Sequence, residues 1–376
     1  MKKQLIIFLS LLIFGCRDSS QAQVQAGFVV GVRHFQWLDA QRTDPYYGGK
    51  RLINVQVWYP VASSLNPQNF KKAPYYYQIA QVYRQLNHWS QADVQMVQKI
   101  TTAALVNAPL SDASTKYPLI IFSPSLGRHL AQYTYYAERL AKAGYIVAGV
   151  NHLYESEYVI NAQKQVFTAN HRFHDSLKTL KIPTQITVDK YREVKGFRQE
   201  VLGQDLIFCL NQLKRSTFAQ HIQFNKIGVW GHSIGGSAAI FASFKDTRFS
   251  AVLDLDGTPP SAAMRQGIQA PFMFIEDLTD YNNHPGYKKL HQRRNGFCQK
   301  VSKNAYRVLL AGTNHNSFLD IYYHTARSNH QRQKLLKVLH TTLHYMQGFF
   351  DRYLKAQAFE LKAGKTKEIE VFTFEK

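Results

Sequence analysis

The stretch KIGVWGHSIGGSAA, Lys226 to Ala239, sets a serine among glycines between a β-like apolar run and a helix-like one. Its centre, Gly231-His232-Ser233-Ile234-Gly235, has the G-x-S-x-G pattern of a nucleophile carried on a sharp strand-to-helix turn. A serine there has strained backbone angles, and side chains two positions to either side would collide with neighbouring elements, so glycine is required for shape. Gly236, Ser237, Ala238 and Ala239 extend the logic, because small residues let the following helix approach a sheet. The pentapeptide alone arises by chance in many chains, and Ser233 could be only part of a tight turn. Directly after KIGVW and before a helical run, the motif is specific.

Outward from this turn the chain alternates strands with helices. Pro118–Phe122, Tyr145–Val150 and Lys226–Trp230 are short apolar runs, with Ala251–Leu255, Pro271–Ile275 and Tyr306–Leu310 after them. Helical spacing covers Leu130–Ala143, Asp189–Leu213 and a closing His330–Leu354. Such alternation predicts an α/β fold with a mostly parallel central sheet and helices on both faces. Two earlier runs, Gly27–Phe35 and the alternating LINVQVWY of Leu52–Tyr59, read as half-buried strands. Between them and the alternating region, Ala73–Lys99 carries Tyr75, Tyr76, Tyr77, Ile79, Val82, Tyr83, Leu86 and Trp89 at mostly helical spacing. This predicts a helical, aromatic-rich insertion around 73–100, packed on the core or capping a pocket. The whole of 27–376 reads as a single domain.

A serine hydroxyl is a poor nucleophile at neutral pH. It needs a base, and the base needs a carboxylate to hold its tautomer and offset the imidazolium charge. Behind a nucleophile of this type the expected chain order is serine, acid, histidine. Among fifteen histidines, His315 in LLAGTNHNSF follows the strand-like Tyr306–Leu310 by five residues and is the candidate base. The acid stays open on residue pattern alone: Asp256 ends AVLDLDG, Asp254 lies earlier in the same run, and Glu276 and Asp277 follow the next one.

The motifs RLINVQVWYP (51–60), YPLIIFSPSLG (117–127), GYIVAGVNH (144–152), KIGVWGHSIGG (226–236), DTRFSAVLDLDGT (246–258) and GTNHNSFLD (312–320) resemble the platelet-activating factor acetylhydrolases of the plasma type and their bacterial relatives. That resemblance covers most of the chain after residue 44. It implies an α/β-hydrolase fold and a Ser233, Asp256, His315 triad, with Asp277 as the reserve acid. The expected chemistry is a serine esterase acting through an acyl-enzyme on short or oxidised acyl chains of phospholipids, without metal or organic cofactor. An oxyanion hole needs two N–H donors: the amide of Ile234, directly after the nucleophile, and by resemblance that of Leu126. The His-Gly usual before Leu126 is replaced by Pro124-Ser125, and proline fixes φ and removes a donor, which leaves the shape of the loop open. The rival expectations are a general carboxylesterase for small soluble esters and a surface lipoprotein that keeps the fold without turnover.

The opening MKKQLIIFLSLLIFGC has two lysines, eleven apolar or small residues from Leu5 to Gly15, then Cys16. Eleven helical residues rise only about 16 Å, roughly half a bilayer core, so 1–15 reads as a signal peptide and not a span. Its ending resembles a bacterial lipoprotein processing site, which would lipidate Cys16 and place the mature chain in the cell envelope. The alternative is an ordinary secretory cut near Ala22 or Ala26 that discards Cys16. Export argues against a nucleic-acid partner despite the net charge of +21. Between Tyr281 and Phe350, eleven Lys and Arg face one acid, Asp320, which reads either as a solvated basic face or as a second attraction to anionic lipid. Cys209 reads as a core residue, and a disulfide to Cys298 is open. His340 and His344, one turn apart in HTTLH, and His171 and His174 in HRFH lack the glutamate and third ligand of a metal site, and no metal is expected.

Overall fold

Near-continuous apolar runs such as YPLIIFS can be satisfied only where both faces of a strand are covered, and the sheet provides that setting. The computed structural model describes residues 28–376 except 63, 87–88, 112–114, 171–184 and 279–284, with backbone but not side chains at 185–192 and 285–287. The leader, Cys16, His171 and His174 therefore lie outside the described residues.

The chain enters with β1 (Val29–Thr43) and β2 (Lys50–Val61), an antiparallel pair, and adds β3 (Lys72–Pro74) and β4 (Thr101–Val106) beyond β1. There follow β5 (Tyr117–Ser123), β6 (Ile146–His152), a separate hairpin of β7 (Tyr158–Ile160) and β8 (Val166–Thr168), then β9 (Ile222–His232), β10 (Phe249–Leu255), β11 (Phe272–Asp277) and β12 (Ala305–Leu310). The last strands are β13 (Gly364–Lys365) and β14 (Ile369–Phe374). Twelve of them form one sheet in the order β13-β14-β12-β11-β10-β9-β5-β6-β2-β1-β4-β3. From β6 to β12 every neighbouring pair is parallel.

The period of two along these strands sorts their side chains onto two cores. Leu119, Ile121, Ile227, Val229, Val252, Phe272 and Phe274 meet Leu202, Leu206, Ala238 and Ala242 on one face. Those partners belong to α4 (Gln185–Leu213) and α5 (Ile234–Lys245), numbered after the short α1 (Ile79–Val82), α2 (Gln91–Gln98) and α3 (Thr134–Lys142). On the other face Ile120, Phe122, Trp230, Leu253, Met273 and Ile275 meet Tyr136 and Leu140 of α3. They also meet Met346, Phe349 and Phe350 of α9 (Asn329–Lys355), which follows α6 (Ser261–Gln266), α7 (Pro285–Cys298) and α8 (Asp320–His324). The α/β expectation is met: a mostly parallel sheet with helices on both faces.

Three expectations need correction, and the open question of a Cys209–Cys298 disulfide is answered. The chain does not close on a helix: after α9 it returns and lays β14 antiparallel on β12, Ala305 opposite Phe374 and Leu310 opposite Ile369. The aromatic run is not one helix: Gln78, with a left-handed φ of 59°, separates β3 from α1, and Leu86 turns extended before α2 begins. The run is stapled to the rest of the fold, with Tyr75 donating to Asp320, Gln132 donating to the Tyr76 hydroxyl at 2.6 Å, and the hydroxyl of Tyr158 on β7 donating to the Tyr77 carbonyl at 2.7 Å. Cys209 and Cys298 are both buried free thiols, so no disulfide joins them. The basic segment is not wholly a surface, since Arg294 and Arg307 are buried. The helical histidines His340 and His344 pack against Tyr135 and against Tyr345 and Phe359.

The two buried arginines converge on Glu276. Arg307 donates to it from Nε at 2.6 Å and Nη2 at 2.7 Å, and Arg294 from Nη1 at 2.6 Å. Burial alone would raise the Glu276 carboxyl, but Arg294 and Arg307 overcome it and hold it at about 2. The same balance of burial against Arg51 and His152 keeps Asp205 low. Carboxylates with depressed folded values contribute stability that is complete above the unfolded value near 4.3 and lost as pH falls toward the folded one. Urea midpoints are therefore expected to hold from neutral pH down to about 4.5 and to decline steadily from there to about 2. Substituting Glu276 by glutamine should remove much of that decline; an unchanged profile in the variant would refute the assignment.

Candidate active site

Ser233 stands at the C-terminal end of β9 with φ 59° and ψ −119°, outside the regions L-residues prefer. The turn is held by its surroundings. Ser233 N–H donates to the Leu255 carbonyl at 2.8 Å, and Ser237 N–H donates to the Ser233 carbonyl at 3.1 Å. A β-carbon at Gly231 would overlap the Gly235 backbone, one at Gly235 the carbonyls of Ser123 and Pro124, and one at Gly236 the Asp254 carboxyl. The glycines are thus required by close approach of the elbow to β5 and β10.

Asp256 follows β10, also with a left-handed φ of 52°, and His315 follows β12. Residues 59 apart in sequence meet: the distance from His315 Nδ1 to Asp256 Oδ2 is 2.5 Å. With Nδ1–H donated to the carboxylate, His315 Nε2 is left as an acceptor. Ser233, Asp256 and His315 accordingly come from the C-terminal ends of parallel strands, where this kind of sheet opens toward ligands.

The other carboxyls are engaged differently. Asp254 is fully buried and accepts from Gly257 N–H at 2.8 Å, bracing the turn that carries Asp256, and burial pushes its carboxyl well above the usual range. Glu276 is occupied by Arg294 and Arg307, and Asp277 is buried at the end of β11. Arg294 couples the strands: Nη1 goes to Glu276, while Nη2 donates to Asp256 Oδ1 at 3.2 Å and to the Gly257 carbonyl at 2.6 Å. Sequence reasoning did not find Arg294, whose place in a basic run carried no sign of burial.

The loop after β5 is a defined turn despite Pro124. Arg128 N–H donates to the Ser125 carbonyl at 3.0 Å, Gly127 has φ 66°, and Gly127 N–H donates to the Glu155 carbonyl at 2.9 Å. Ser125 N–H donates at 2.9 Å to the Tyr133 hydroxyl, which lies 2.9 Å from His232 Nδ1 and so ties this loop to the elbow. Among the described residues no group takes the Leu126 amide. Ile234 is the first residue of α5, where an N–H has no partner within the helix. Leu126 and Ile234 share with Ser233 a cleft of about 140 Å³, completed among the described residues by Lys195, Arg198, Asp256, Gly257 and Thr258.

A second serine, histidine and aspartate lie beneath the loop. Ser123 Oγ is 2.8 Å from His152 Nε2, and His152 Nδ1 is 2.8 Å from Asp205 Oδ2. Arg51 and Arg42 each reach Asp205 at 2.8 Å. Ser123, His152 and Asp205 are at most 1% exposed, so this relay is out of reach of a substrate and fixes the strand end that precedes Pro124.

A mostly parallel sheet that presents a serine on a positive-φ turn, with a carboxylate-bound histidine beyond the last parallel strand, defines an α/β-hydrolase. A solved ferulic acid esterase from Streptomyces cinnamoneus has the same fold, with a TM-score of 0.72 and 22% identity over 92% of this chain and 95% of that one. The family model described as platelet-activating factor acetylhydrolase, isoform II, matches residues 46–202 and 168–339, and the chain belongs to that family. Platelet-activating factor acetylhydrolase of Canis lupus familiaris is 29% identical over 251 residues, covering 61% of this chain and 53% of its own length. A probable 1-alkyl-2-acetylglycerophosphocholine esterase of Arthroderma benhamiae is 30% identical over 152 residues, covering 40% of this chain and 34% of its own length. The chain thus matches about half the length, or less, of these curated relatives.

Proposed function

We propose that the chain is a serine esterase in which Ser233 attacks an ester carbonyl, His315 takes the proton and returns it to the leaving alcohol, and Asp256 holds the imidazole. The amides of Ile234 and Leu126 meet the developing oxyanion. The Oγ–carbonyl bond forms first, giving a tetrahedral oxyanion; its collapse breaks the ester C–O bond and expels the alcohol, protonated by His315, and water then releases the acid from the acyl-enzyme through the same two steps. The observation that carries this reading is the 2.5 Å His315–Asp256 contact at the sheet edge that bears the Ser233 turn.

By family, the proposed substrates are phospholipids with a short or oxidised acyl chain at the cleaved ester. The cleft of about 140 Å³ supports a short acyl group, being well below the roughly 300–1,000 Å³ that encloses larger ligands. The same size supports a second reading, hydrolysis of small soluble esters. Comparing a 2-acetyl phospholipid, its long-chain 2-acyl counterpart and ethyl acetate decides between them. Preference for the acetyl phospholipid over both supports the first, equal or better turnover of ethyl acetate the second, and no turnover of any would leave a non-catalytic module. We also propose that the leader ends in lipidation of Cys16, which anchors the mature chain in the envelope. A Cys16→Ser chain that still fractionates with membranes would refute this.

A further inference from the structure

One wall of the catalytic cleft is cationic in a way that the hydrolytic relay does not use. Lys195, half-buried on α4, lines the cleft with Ser233, Leu126 and Ile234. Among the described residues its ammonium has no hydrogen-bond or ion-pair partner. Arg198, one turn further along α4, lines the same wall and is paired with Glu155. A partly buried cation with no carboxylate beside it is poorly compensated, and an anionic ligand group would supply the missing charge.

The side of the cleft is also defined. The leaving alcohol must face His315, which returns its proton. His315 does not line this cleft, whereas both candidate oxyanion residues do. An acyl group beside Lys195, with the leaving alcohol toward His315, fits this division of the lining.

We propose that Lys195 binds a negative charge carried by the acyl group, so that half-esters of short dicarboxylic acids are preferred over neutral esters of equal length. The inference rests on ester hydrolysis at Ser233. Burial first, then Arg294 and Arg293 of α7, lower the Lys195 ammonium to about 8 against the opposing pull of Asp254 on β10. The preference should therefore weaken as pH rises through about 8 and the charge is lost, and the ratio of the two ester rates isolates this effect from any change common to both.

The test compares monoethyl succinate with ethyl butyrate, which share a four-carbon acyl length, and adds 1-acetylglycerol 3-phosphate against glyceryl monoacetate to place the anion on the alcohol instead. Acid release is followed at constant pH in wild type, Lys195→Met and Lys195→Arg. A charge-assisted contact predicts a wild-type preference of about tenfold or more for the succinate half-ester. Methionine at 195 should abolish it, chiefly through KM, and arginine should retain part of it. A preference only in the phosphate pair would place the anion on the alcohol and overturn the assignment to the acyl side. Equal losses on succinate and butyrate would give Lys195 a merely structural part and also overturn it. Turnover of ethyl butyrate without any succinate preference rejects the anchor but leaves Ser233 chemistry standing; failure of wild type on every ester rejects both.

Discussion

Replacing Ser233 by alanine is expected to lower kcat by about five to six orders of magnitude while leaving the fold intact. Alanine keeps the β-carbon, so the cost of φ 59° is the same in both proteins, and the Ser233 N–H bond to Leu255 needs no side chain. What disappears is the Oγ proposed to form the covalent intermediate. A fluorophosphonate should label wild type once, at Ser233, and the variant not at all. The control is internal to the molecule, because Ser123 also has a histidine 2.8 Å away backed by an aspartate. Ser123 is fully buried, so residual labelling there, or activity surviving the substitution, would show that burial does not distinguish the two relays as argued.

Asp256→Asn should be the next most damaging change, lowering kcat by about 10,000-fold with little effect on KM. An amide in place of the carboxylate turns an acceptor opposite His315 Nδ1 into a group that can donate. The ring then carries its proton on Nε2, facing the serine it should deprotonate. Arg294, which loses one of its two carboxylates, retains Glu276 and the Gly257 carbonyl, so the fold survives. Asp277→Asn, at the end of the next strand, is expected to cost less than about tenfold in kcat. The reverse order of effects, measured on the same ester, would transfer the acid role to β11.

The elbow was legible because its chemistry is local: glycines, serine and small residues must be neighbours in sequence to build one turn. His315 was legible by position, just past a late strand. Asp256 was not, since Asp254, Asp256, Glu276 and Asp277 are alike until tertiary contacts sort them, and only the family resemblance chose among them. Arg294, Tyr133 and the Ser123, His152 and Asp205 relay were invisible for the same reason, since sequence spacing does not report which buried groups face each other. The final strand was missed because IEVFTF is short and follows a charged tail, so its pairing with β12 depends on the sheet edge already being in place. Gln78 and Leu86 defeated the helical reading of the aromatic run through backbone angles that composition does not encode.

The guanidinium shared between neighbouring strand ends limits which carboxyl of this sheet could come to serve His315. Glu276 on β11 is already claimed by two arginines, so one substitution cannot free it to serve the imidazole. Recruiting it would mean dismantling both contacts and leaving a buried guanidinium stranded without its counter-charge.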